Sequence, residues 1–327
     1  MTAGTCRMPD SARIKHHWVR LCIALVTQCA LAAQCALAAQ AAPPRAAPPR
    51  AAPARTLPAP ARASPAHASP RHVMSLSLCT DALVLALLPP ARITSVTYLA
   101  HRSTDPTLAA EAARVGTNYG TAEEVLAQAP DLVLAGTYST PATRMLLRQL
   151  GAPMLVVPPA TSFAAIRTSV RLVARALGVP QRGEALLAQM DITLAAVRRA
   201  RPSPAVRVAA WSGDGYVPGK GTLFNAVLQA AGGINVAATT SGGRSGSFDI
   251  EQLLMAHPDV LAYSADQAAP ALKTDTSNHP LLLRLYRARR ITYPPLPLDC
   301  GLPRSAQAAQ QLQREMLAVM HVSGGPR

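Results

Sequence analysis

Between Pro180 and Arg201 apolar residues recur at helical spacing. Leu187, Met190, Leu194 and Val197 stand three or four apart, while Arg182, Gln189, Thr193 and Arg198 fall elsewhere around the cylinder. The run predicts one long amphipathic helix. Gly178 stops the helical pattern before it, Pro180 suits a first turn, and Pro202 and Pro204 forbid its continuation. At 1.5 Å per residue a helix of that length spans roughly 30 Å, about the width of a small domain.

Different periods flank this rod. Residues 73–78 alternate in the manner of a strand and lead into Thr80-Asp81, a helix N-cap signal, ahead of an apolar run. Three more short strands are predicted at 93–97, 130–135 and 153–157, with helices near 121–128, 141–150 and 163–177. Beyond Pro204 the rhythm restarts: a strand at 205–211, a glycine-rich loop, and a helix at 222–231. A capped helix at 249–256, a strand at 260–263, a helix at 280–287, a strand at 291–293 and a last amphipathic helix at 305–320 follow. Strands alternating with helices at this spacing predict α/β layers with mainly parallel sheets. The expected architecture is two α/β lobes, 71–179 and 202–327, joined by one spanning helix at 180–201, with a ligand cleft between the lobes.

Composition changes the picture mostly at the N-terminus. In residues 1–40, Arg13, Lys15 and Arg20 precede an apolar run that ends in small residues, the pattern of a secretory signal. The hexapeptide QCALAA occurs twice there, which leaves the cleavage point open, and a lipid-attachment cysteine at Cys29 or Cys35 is the second reading. Residues 41–70 are Ala, Pro and Arg, a spacer with nothing to bury. The formal charge of +15 is concentrated in these segments: nine of the 32 basic residues and one of the 17 acidic ones lie at or before Arg71. The folded part is therefore only moderately basic; its densest run, Arg284 to Arg290, reads as a solvated helix end, and no recognisable nucleic-acid-binding motif accompanies it. Only Cys79 and Cys300 remain beyond the leader, and they either bridge or stay as two unlinked thiols.

One phrase is written twice. Thr121-Ala-Glu-Glu-Val-Leu-Ala-Gln-Ala-Pro-Asp-Leu-Val aligns with Asp249-Ile-Glu-Gln-Leu-Leu-Met-Ala-His-Pro-Asp-Val-Leu, which places Glu123 on Glu251 and Asp131 on Asp259. Each copy reads as a capping box, a short helix, a Pro-Asp turn and a buried strand. By spacing alone Glu123 and Glu251 stabilise helix starts. The doubled phrase, SLSLCTDALVLAL near the start and the single long helix between the halves together resemble the periplasmic substrate-binding proteins of ABC importers for cobalamin, haem and ferric siderophores. The resemblance runs from about Arg71 to Met320. It implies that Glu123 and Glu251, one on each lobe, meet arginines of a membrane permease dimer. It also implies a bulky metal-chelate ligand, a periplasmic location, a monomer and little hinge motion.

Ligands of open α/β sheets sit beyond the carboxyl ends of strands. Those ends offer Tyr98, His101, Arg102 and Tyr138 in the first lobe, and Trp211, Asp214, Tyr216, Tyr263, Asp266 and Asp299 in the second. Tyr98, Tyr138, Trp211, Tyr216, Arg244 and Asp299 are the expected ligand contacts. For Trp211 a packing role weighs equally, and for Arg244 the alternative is a solvated loop charge. Haem-binding relatives usually carry a tyrosine near SxxYP, where this chain reads Arg102-Ser-Thr-Asp-Pro. His101, His257 and His279 are scattered, so neither a resident metal nor a cofactor is expected. The stretch from Gly213 to Gly221 has the wrong spacing for a phosphate loop, and GxSxG and HExxH do not occur. The expectation is a binding protein for cobalamin or a ferric siderophore. The alternatives are a haem-binding transport protein and an exported chelatase-like enzyme.

Overall fold

A computed structural model describes residues 69–211, 215–265 and 279–323. The predicted leader and nearly all of the spacer lie outside the described residues, as do Asp214 and Asp266. The N-terminal lobe runs β1 (Val73–Ser75), α1 (Leu78–Leu87), β2 (Ile93–Thr97), α2 (Tyr98–His101), α3 (Pro106–Ala112), β3 (Gly116–Asn118), α4 (Ala122–Gln128), β4 (Leu132–Gly136), α5 (Pro141–Gln149), β5 (Met154–Val157) and α6 (Phe163–Ala176). Its five strands pair in the order β3-β2-β1-β4-β5, all parallel. The spanning helix α7 (Pro180–Arg199) follows.

The C-terminal lobe runs β6 (Val206–Ala210), β7 (Tyr216–Val217), α8 (Leu223–Ala230), β8 (Gly233–Asn235), α9 (Val236–Thr239), β9 (Gly246–Ser247), α10 (Ile250–Met255), β10 (Val260–Ser264), α11 (Pro280–Tyr286), β11 (Arg290–Tyr293), α12 (Leu296–Asp299) and α13 (Ser305–Ser323). Four strands form a second parallel sheet, β11-β10-β6-β8, and β7 pairs antiparallel with β9 as a separate ribbon. The two-lobe α/β architecture is the one expected.

Helix α7 buries Gly183, Leu187, Met190, Thr193 and Val197. The face is the expected one, but Thr193 was placed on the polar side. Its hydroxyl donates to the Gln189 carbonyl at 3.0 Å, which satisfies it inside the helix and lets it sink into the interface. Gly183 allows α7 to cross α6 closely, because a Cβ there would stand 2.6 Å from the Ala174 methyl. On its other side α7 meets α13, where Gln313 Nε2 donates to the Val197 carbonyl at 2.7 Å.

The first helix also begins earlier than its sequence signal. Ser77, not Thr80, is the N-cap of α1, and its hydroxyl accepts from the Thr80 amide. Thr80 and Asp81 are instead buried in the first turn. Among the described residues no helix is long and apolar enough to cross a membrane.

Candidate functional site

The doubled phrase is a structural duplicate down to the backbone. In α4, Thr121 accepts from the Glu124 amide and Glu124 reaches back to the Thr121 amide; in α10, Asp249 and Gln252 do the same. The inward faces correspond too, with buried Ala122 and Val125 matched by half-buried Ile250 and buried Leu253 at the same offset. Each helix ends in a left-handed residue, Ala129 at φ 43° and His257 at φ 46°. The following Asp then ties down the neighbouring strand. Asp131 accepts from the amides of Arg71 and His72, and Asp259 from the Arg207 amide at 2.8 Å.

Because Glu124 and Gln252 do the capping, Glu123 and Glu251 are left exposed at the second helical position of each copy. Neither makes a hydrogen bond or ion pair among the described residues. Each lobe thus presents one carboxylate on equivalent helices.

At the carboxyl ends of the N-terminal strands the structure sets three tyrosines. Tyr98 follows β2 and stacks on Tyr119, which follows β3, with ring centroids 5.2 Å apart and planes 23° from parallel. Tyr119 is 69% exposed and Tyr138, after β4, is 87% exposed. Tyr119 was absent from the sequence-derived contacts because β3, Gly-Thr-Asn, has no apolar alternation to mark it as a strand. Beneath these ends lies a polar floor. Asn118 Nδ2 donates to the Ser75 carbonyl and the Ser95 hydroxyl, both at 3.0 Å, and Thr97 donates to Asp81 Oδ2 at 2.5 Å. Burial pushes the Asp81 carboxyl up to about 7, against the opposing pull of the Ser75 and Thr97 hydroxyls. Its Oδ1 has no hydrogen-bond partner.

In the C-terminal lobe Tyr216 lies on the ribbon, opposite Ser247, and Arg244 is exposed on the segment entering β9. Trp211 sits elsewhere than the expected cleft wall. It is 1% exposed, within a core cluster that includes Val217, Phe248, Leu253 and Tyr263. The packing role is the one the structure shows, and the physical reason is its position directly after the central strand β6, where its backbone joins the ladder by donating to the Ala262 carbonyl at 3.0 Å. Tyr263 is buried in the same cluster; burial pushes its phenol up while Arg290, 4.3 Å from the ring centroid, pulls it down.

Tyr138 and Asp299 come together across the lobes. Both line a largely apolar cavity of about 120 Å³ that is closed at one side by Cys79 and Cys300. Those two cysteines form a disulfide. Beside it Gly301, at φ 63°, packs on Ala160 so closely that a Cβ would stand 2.6 Å from the Ala160 carbonyl oxygen. Arg304 pairs with Asp105, the N-cap of α3, at 3.1 Å. The C-terminal segment 299–304 is therefore fastened to the N-terminal lobe at three points. Among the described residues no cluster of His, Cys, Asp and Glu is arranged to hold a metal ion.

Two parallel-sheet lobes joined by one bridging helix define a class: the single-helix-linked solute-binding proteins. The chain belongs to the periplasmic binding protein family, whose sequence pattern matches residues 73–282. A cobalamin-binding protein of Halobacterium salinarum is 32% identical over 151 residues, 44% of this chain and 41% of that relative. The match thus spans about two-fifths of the relative's length. The periplasmic haem-binding protein RhuT from Roseiflexus sp. RS-1 superposes with a TM-score of 0.65 at 26% identity, over 76% of this chain and 98% of that one. The fold is shared as well with the vitamin B12-binding protein BtuF of Vibrio cholerae, with a TM-score of 0.58 at 18% identity over 77% and 98% of the two chains.

Proposed function

We propose that this protein is the exported solute-binding component of an ABC importer. It captures a bulky metal chelate between its lobes and delivers it to a permease dimer. The observation that carries this reading is the duplicated capped helix, which puts Glu123 and Glu251 on equivalent outer positions and leaves both free of internal partners. Two carboxylates set apart on a stiff body suit a two-fold symmetric receptor that offers a cation at each half. Each exposed ion pair contributes only about 0.2–1 kcal/mol, so the pair acts through register and encounter rate more than through affinity. The leader pattern of residues 1–40 supports export.

Cobalamin and ferric siderophores are the cargo classes favoured by the missing SxxYP tyrosine, while the chain's relatives include cobalamin-, haem- and ferric hydroxamate-system proteins alike. Haem is a second reading, and one observation favours it: Tyr119, which the sequence reading passed over, stacks on Tyr98 and gives this rim an aromatic face with two phenols.

The test is uptake. Replacing both carboxylates, Glu123→Ala with Glu251→Ala, leaves binding of the chelate unchanged and impairs its import by cells. Normal import by the double variant would return both residues to helix stabilisation.

A further inference from the structure

We propose that the Cys79–Cys300 bridge opens and recloses in the folded protein by exchange with small thiols, and that its opening loosens the hold of the C-terminal segment on the N-terminal lobe. The bridge joins α1 of one lobe to the residue just after α12 of the other, across 221 positions of sequence. It is the covalent member of the three fastenings of segment 299–304.

The two sulfurs stand in unequal surroundings. Cys79 is the second residue of α1, a ten-residue helix whose N-cap is Ser77. The Thr80 amide donates to Ser77 Oγ at 3.4 Å and the Asp81 amide to the Ser77 carbonyl at 2.8 Å. The amides of Leu78 and Cys79 are left without a hydrogen bond among the described residues. Free N–H groups at the positive end of a helix favour a thiolate on Cys79. Cys300 sits at the opposite kind of helix end. It is the C-cap of α12, its amide donates to the Leu296 carbonyl at 3.0 Å, and the exposed carboxylate of Asp299 is the residue before it. Free carbonyls and a nearby carboxylate disfavour negative charge there. Exposure differs in the same sense, since Cys79 is half-buried and Cys300 is 8% exposed.

This asymmetry sets the course of the exchange. Both cysteines line the cavity of about 120 Å³ that also carries Tyr138 and Asp299, so a thiol reaches the bridge without unfolding the chain. A glutathione-type thiolate attacks Cys300 Sγ, the S–S bond breaks, and its electron pair leaves on Cys79 Sγ, the better leaving group. A second such thiolate attacks the mixed disulfide, which releases oxidised glutathione and leaves Cys300 to be protonated. In sum, the disulfide and two thiols yield the Cys79 thiolate, the Cys300 thiol, oxidised glutathione and one proton. Stabilising the thiolate stabilises the reduced form, and the bridge is correspondingly easier to open. Once open, segment 299–304 keeps only the Gly301–Ala160 contact and the Arg304–Asp105 pair.

The full chain, equilibrated without denaturant in glutathione buffers of graded redox ratio, tests this. Acid quenching, alkylation and peptide-resolved mass spectrometry read Cys79 and Cys300 separately from the other cysteines. Oxidised and reduced starting samples should converge on the same fraction bridged at each ratio. In the reduced protein, iodoacetamide should modify Cys79 about fivefold faster than it modifies glutathione at pH 6, and Cys300 more slowly than Cys79. Amide hydrogen exchange should rise over 299–306 on reduction and stay unchanged in α7 and the two sheets. A bridge that stays closed in excess glutathione until urea is added overturns the proposal. So do global unfolding on reduction, a Cys79 no more reactive than glutathione, and equal exchange over 299–306 in both forms.

Discussion

Among the described residues Asp81 is the carboxyl most removed from water, buried in the first turn of α1 in the N-terminal lobe. Its ordinary value of 3.8 holds in the unfolded chain, and the folded value rises to about 7. Between those limits the folded state keeps a proton that the unfolded state has lost. Stability from this group is therefore full below pH 3.8 and falls as pH rises toward 7, by at most about 1.4 kcal/mol per pH unit. Asp81→Asn removes the titration while keeping an acceptor for Thr97. Urea unfolding near pH 4.5 and near pH 7 should show the wild type losing stability relative to the variant over that interval. Parallel behaviour of the two proteins would mean that the carboxyl is ionised throughout. The residue scale is also where sequence reading reached least far. Tyr98 and Tyr138 were legible as residues following strands, but burial was not. Nothing local distinguishes Trp211 facing the core from Trp211 facing a cleft, since its side is set by the register of β6 against β10.

At the scale of elements, the doubled phrase was the most legible feature of the chain. A hydroxyl or carboxylate cap, a Glu or Gln three residues on and a Pro-Asp turn each have a local cause, and both copies fold as those causes dictate. What the phrase did not announce is the reach of its Asp. Asp259 holds the start of β6 through the Arg207 amide, fifty-two positions away in sequence. Asp259→Ala leaves that amide short of a partner and should lower stability by about 1–3 kcal/mol, measured by urea or thermal unfolding. A loss within experimental error would mean that water replaces the carboxylate at no cost. The strands missed are two or three residues long; β3, β8 and β9 are rich in Gly, Asn, Ser and Thr, and β7 is only Tyr-Val. They exist because a neighbouring strand pairs with them, and a pattern-based reading has no access to that neighbour. The start of α1 was displaced by a related ambiguity, since Ser77 and Thr80 are both competent caps one turn apart.

On the scale of the whole molecule, the lobes are joined by α7 and held a second time at the gap. The Cys79–Cys300 disulfide, the Gly301–Ala160 contact and the Arg304–Asp105 pair lie together, far in sequence from the bridging helix. Two attachments restrict rotation of the lobes about α7. The disulfide closes a sequence separation of 221 residues, so its loss frees a large loop in the unfolded chain. Cys79→Ser with Cys300→Ser should cost about 2–5 kcal/mol by denaturant unfolding. Unchanged stability would place the burden of joining the lobes on the helices alone. The sequence left this bridge open between two outcomes, and only the convergence of α1 with the segment after α12 resolves it.

On the function proposed above, the space between two similarly built lobes holds one intact metal chelate. Native mass spectrometry of the full chain, mixed with cobalamin, haemin and a set of ferric siderophores, addresses it directly. The expected result is a single one-to-one complex whose added mass is that of an unaltered chelate, retained after prolonged incubation. A spectrum showing only free protein with every candidate, or an adduct whose mass reveals loss of metal or a cleaved ligand, would contradict it.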